Sequence, residues 1–75
     1  MIYRFRLNIS SNGYLRFYQA ASKFVQARTE EGLLIKFPAE HLRPHVTHEG
    51  IQGFFELESS EQGKFIALRR IGKTP

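Results

Sequence analysis

The sequence holds no cysteine, no tryptophan and no aspartate, and its only methionine is Met1. Without cysteine there is no disulfide, no thiolate nucleophile and no thiolate metal ligand. The acids are seven glutamates, so no Ser–His–Asp relay can be assembled. Long apolar runs are also missing. The longest is Phe65-Ile66-Ala67-Leu68, against the roughly 20 apolar residues of a membrane-spanning helix. The first residues alternate, where a secretory signal joins a basic segment to an apolar run. Length is short as well: 75 residues make one small domain. A doubly wound nucleotide-binding sheet, a two-domain enzyme and a repeat array do not fit. A domain of this size buries only ~60% of the surface its unfolded chain exposes. Its core is worth ~3–5 kcal/mol net unless something staples it. These readings predict a cytoplasmic protein with no membrane contact, folded as a single domain over residues 1–71 with a tail at 72–75.

What is present is enough to fold. Hydrophobic residues make up 41% and aromatics 13%, too rich for a disordered chain. The net charge is +4 and unevenly placed. Arg4, Arg6, Arg16, Lys23, Arg28 and Lys36 face only Glu30 and Glu31 in the first half, and the second half is neutral. A basic half suits an anionic partner. A net charge of about 2–8 is also ordinary for a soluble small domain.

Residues 1–9 alternate with period two, placing Tyr3, Phe5, Leu7 and Ile9 on one face and Arg4, Arg6 and Asn8 on the other. That is a half-buried strand with a wet basic face. Asn12-Gly13 is a hairpin signal, yet Ser10 or Ser11 is a good helix N-cap. Leu15 and Tyr18, three apart with Tyr14 beside them, favour a short helix of about residues 11–20. Gly13 costs such a helix about 1 kcal/mol relative to alanine. Residues 23–29 form a second strand. Glu30-Glu31-Gly32 is a turn, with Gly32 free to take positive φ. A third strand, 33–37, puts Leu33, Ile35 and Phe37 toward the core. Pro38 ends it. Residues 39–43 make one helical turn, stopped by Pro44. Thr47-His48-Glu49-Gly50 is a turn. From Ile51 to Glu58 the chain alternates again, with Ile51, Gly53, Phe55 and Leu57 on one face. Gly53 marks a bulge or a close backbone approach. Ser59 to Gly63 is a hairpin loop, and Lys64 to Ile71 is a last strand. Its facing is ambiguous because Phe65 and Ile66 are both apolar. The expected fold is α+β and mainly β: a small five-stranded antiparallel roll or partly open barrel. One short helix follows the first strand, and a helical turn separates the third and fourth.

Several segments together resemble a known family. They are Phe37-Pro38-Ala39, Leu42-Arg43-Pro44, Val46 through Phe54 and Leu68-Arg69-Arg70-Ile71, with Ile9-Ser10, Tyr14-Leu15 and Tyr18 at the start. They are similar to the bacterial domain of unknown function 2835, short gammaproteobacterial proteins, over about residues 3–71. The resemblance implies no activity, substrate, cofactor or catalytic residue.

Four motifs carry potential chemistry. Ala67 through Thr74 fits a permissive phosphate-loop pattern, but such a loop needs a following helix and here Pro75 follows. His41, His45 and His48 have the i, i+4, i+7 spacing of metal ligands, with Glu40 and Glu49 nearby. Pro44 interrupts any helix that would align them, so surface histidines and no metal are expected. Gln52-Gly53-Phe54-Phe55 echoes an RNA-binding strand, without the leading basic residue. Glu56 and Glu58 share a strand face, where arginine or lysine on a neighbouring strand would meet them. No nucleophile or acid–base pair is assembled, so neither enzyme activity nor a cofactor is expected.

Two functions remain. The first is a non-enzymatic accessory module that binds another protein, or a second copy of itself, through an exposed strand edge. The second is a nucleic-acid binder using Arg4, Arg6, Arg28 and Lys36, with Phe24, Phe54 or Tyr14 as stacking groups. Four neutralised phosphates would give a salt slope of roughly −3.6 on duplex DNA.

Overall fold

The computed structural model describes residues 1–19 and 23–72. The expected helix end at residue 20, the side chain of Tyr18 and residues 73–75 of the expected tail lie outside them. Strand β1 (Ile2–Ile9) is followed by helix α1 (Ser11–Gln19), then β2 (Phe24–Arg28) and β3 (Leu34–Pro38). A 3-10 helix (Ala39–His45) leads to β4 (Ile51–Ser59) and β5 (Phe65–Gly72). All five expected strands are present, in two antiparallel sheets with the orders β1-β4-β5 and β2-β3. There is no closed barrel. The sheets meet where Phe5 bridges to Thr29 and where the amide of Glu30 donates to the carbonyl of Arg4, 2.9 Å away.

Local chemistry explains the elements. Ser10 caps α1, its Oγ accepting from the amide of Gly13 at 3.0 Å. The amide of Tyr14 donates to the Ser10 carbonyl, the first bond of the helix. This settles Asn12-Gly13 as helix rather than hairpin. The helix buries Tyr14, whereas Leu15, expected inward, is 51% exposed. The helix packs against the 3-10 helix, and nine residues have room to bury only a narrow stripe. The β2–β3 and β4–β5 hairpins share one loop design. Thr29 and Leu33, and Ser60 and Lys64, each close a three-residue loop. In each, the hydroxyl accepts from the amide four residues on, at 3.0 and 3.1 Å.

Two other expectations change. Leu33, expected in the core, is 52% exposed because it closes the first loop. The helical turn does not stop at Pro44: it runs to His45 as a 3-10 helix. Proline lacks an amide donor but keeps a helical φ, so a short segment tolerates it where the bond is not needed.

The core is aromatic and joins the sheets. Phe5 on β1 packs against Phe37 on β3 and Phe55 on β4, with ring centroids 5.8 and 6.3 Å apart. Val25, Leu42 and Ile51 are fully buried around them. The alternation of β4 holds as expected, with Ile51, Gly53, Phe55 and Leu57 all buried. Gly53 is a close approach: a Cβ there would run into the carbonyl oxygen of Gly72.

Candidate functional site

The four basic residues do not form one patch. Arg4 is taken by Glu56, its Nε donating to Oε2 at 3.1 Å. Arg69 on β5 donates to Glu56 at 3.1 Å and Glu58 at 3.0 Å, so a neutral ladder crosses the outer face of all three strands. Glu56 and Glu58 thus meet arginines on neighbouring strands, as their shared face implied. Hydrogen bonding from Arg69, and then from Arg4, holds the Glu56 carboxyl below its usual range, against the opposing effect of desolvation. The same bonds, from Glu58 first and then Glu56, raise Arg69 above its ordinary value. Counting residues back from the Ser60–Lys64 loop does not reveal this pairing, because β5 carries two bulges. Register skips Ile66 between Ser59↔Phe65 and Glu58↔Ala67, and Ile71 between Phe55↔Arg70 and Phe54↔Gly72. The first bulge brings Arg69 opposite Glu56 and resolves the ambiguous Phe65-Ile66 pair: Phe65 turns inward and Ile66 is 53% exposed.

Arg6 and Arg28 do converge. They border one groove of about 250 Å³ between the sheets, together with Phe54 and Glu30. The Arg6 guanidinium lies 4.7 Å from the centre of the Phe54 ring. Arg28 also donates to the carbonyl of Gly32 at 2.8 Å. Lys36 borders a different cleft, with its Nζ 4.8 Å from the centre of the Phe24 ring. Tyr14 is buried in the core and leaves the set of stacking groups.

The larger cleft, about 430 Å³, opens where the two sheets fail to meet. Tyr3, Ile35, Phe37, Leu57 and Phe65 supply its apolar walls, and none of its lining residues is acidic. Four consecutive residues of β3, Ile35 to Pro38, border it. Successive strand residues point to opposite faces, so this means the strand presents its edge. The hydrogen-bond parity agrees. The amide of Thr29 donates to Leu33, and that of Ala39 to Lys23. In the intervening register, Ala27↔Ile35 and Val25↔Phe37 are therefore the hydrogen-bonded pairs. The N–H and C=O groups of Leu34 and Lys36 point away from β2.

The other outer edge, that of β5, is blunted. Its two bulges bend it, and His45 Nε2 lies 3.2 Å from the Leu68 carbonyl. The histidines do not gather. His41 stacks on Phe65 at 3.6 Å, His45 meets Phe55 edge-on, and His48 lies in an exposed turn. Only His48 is a surface residue; His41 and His45 are half-buried. Among the described residues, no group of three histidines or glutamates is placed to hold a metal ion. The phosphate-loop stretch is strand from Ala67 to Gly72, and Lys73-Thr74 lies outside the described residues. No helix among the described residues is long and apolar enough to cross a membrane.

A family model described as a protein of unknown function, DUF2835, matches residues 1–71. No curated protein and no solved structure matches the chain.

Proposed function

The chain belongs to the DUF2835 family, and from that premise and the geometry above we propose that it is a non-enzymatic accessory module that binds another protein. The observation that carries this reading is the cleft between the sheets, an apolar hollow of about 430 Å³ bordered by a strand edge that is unpaired among the described residues. Exposed backbone beside apolar walls is what a protein partner uses. The Glu56 and Glu58 carboxylates are occupied in the ion-pair ladder, which supports a binding role over acid–base chemistry. In this reading the two sheets form one open roll, joined at the Phe5–Thr29 bridge. A bacterial, cytoplasmic setting is part of the same proposal.

The test compares affinity capture by the wild type with capture by Ile35→Glu, which places a charge in the cleft wall. The reading expects a protein retained in near-equal molar amount by the wild type and lost by the variant, with both folded by thermal melting. Equal retention by the two would defeat it.

A second reading has its own observation, the convergence of Arg6 and Arg28 beside Phe54. Two phosphate contacts would give a salt slope of roughly −1.8 on duplex DNA. Fluorescence anisotropy with single-stranded and duplex probes measures it. Absence of binding at ~50 mM salt removes nucleic acid as the partner.

A further inference from the structure

This inference rests on the protein-binding reading and gives the partner its chemistry. We propose that β3 accepts an extended segment of the partner as an added strand, with an acidic residue on that segment opposite Lys36 and apolar residues directed into the cleft.

Three observations converge on it. First, the edge is open among the described residues: Leu34 and Lys36 direct their amides and carbonyls away from β2, while β5 is bent by bulges and covered at Leu68 by His45. An unpaired edge is a template for another strand, and main-chain hydrogen bonds supply the affinity. Second, the space beside the edge is the right kind. Side chains of an added strand alternate between faces. Every second one would enter the cleft and meet Tyr3, Leu57 and Phe65. A β3 of five residues offers about 17 Å of ladder.

Third, the charge selects the partner. Phe24, Gln26, Arg28, Leu34 and Lys36 occupy the outward face of this hairpin, and no acid stands among them. A second copy paired edge to edge around Lys36 would set its own Lys36 against this one, and like charges across strands are destabilising. Lysine on an edge is a standard guard against self-pairing. A glutamate or aspartate on the incoming strand converts that guard into a cross-strand ion pair.

Selection from a displayed library of random octapeptides tests this, using the full chain as target. Two variants accompany the wild type. Lys36→Pro removes the outward-pointing amide without touching a β2–β3 bond, and Lys36→Glu reverses the charge. Thermal melting confirms that each is folded. The expected result is enrichment of peptides that alternate apolar and acidic residues. Their binding should fall at least tenfold on Lys36→Pro, and Lys36→Glu should enrich basic peptides instead. Binders that ignore both variants would overturn strand addition at β3 while leaving a protein-binding module in place. No binder above background would overturn both. A dimer seen by sedimentation and lost in Lys36→Pro would replace the partner segment with a second copy, and so would also overturn the proposal.

Discussion

At the scale of single residues, two positions set the behaviour of the sheet. Gly50 has φ +102° and sits against the β1–α1 junction, where a Cβ would strike the carbonyl of Ile9 and the backbone of Ser10 and Ser11. No side chain can yield there, because every obstacle is backbone. Gly50→Ala is therefore expected to cost roughly 3 kcal/mol, a large share of a small domain's stability, measured by urea unfolding. A loss below ~1 kcal/mol would mean the junction gives way. Glu56 is the second position. Its carboxyl titrates below its ordinary value near 4.5 in the fold. Its contribution is thus complete above that value and lost as pH falls through the lower folded value. Wild-type stability should decline more steeply below pH ~4.5 than that of Glu56→Gln, followed by thermal melting across pH. Parallel curves would show that the ladder of Arg4, Glu56, Arg69 and Glu58 is not formed in solution.

At the scale of elements, the alternation of β1 and β4 was legible because each has one buried face and one wet face. The hairpin loops were legible from their turn residues. What the pattern could not show were the two bulges in β5. A bulge adds one residue without changing composition, and it moved Arg69 into line with Glu56. Pro44 misled for a related reason, since proline ends an α-helix more surely than a 3-10 segment. An exposed edge was expected, but that β3 carries it was not legible, because an edge is defined by which strands are neighbours. The backbone parity can be tested directly. Lys36→Pro removes an amide that points outward and should leave the fold intact. Ile35→Pro removes an amide bonded to β2 and should cost about 3 kcal/mol or more. The reverse order, with Lys36→Pro the costlier change, would mean the register of β2 and β3 is shifted by one.

At the scale of the whole molecule, five strands and a short helix enclose a small aromatic core and stop short of closure. The four basic residues, a patch only if their strands are neighbours, divide among three surroundings. Arg4 is neutralised in a ladder, Arg6 and Arg28 share a groove, and Lys36 stands at the cleft. Sequence order placed all four on wet faces. It could not place them relative to one another, because that depends on which strands are neighbours. The cleft exists for the same reason: Tyr3, Ile35 and Phe65 come from three strands far apart in the chain.

Residue-resolved amide hydrogen exchange, with and without a peptide that the wild type selects, tests the central claim most directly. In the free protein, Leu34 and Lys36 should exchange fast while Ile35 and Phe37 are protected by β2. On binding, protection should appear at Leu34 and Lys36 and leave β5 unchanged. Protection of Leu34 and Lys36 in the free protein, or new protection on β5 in their place, would contradict the account.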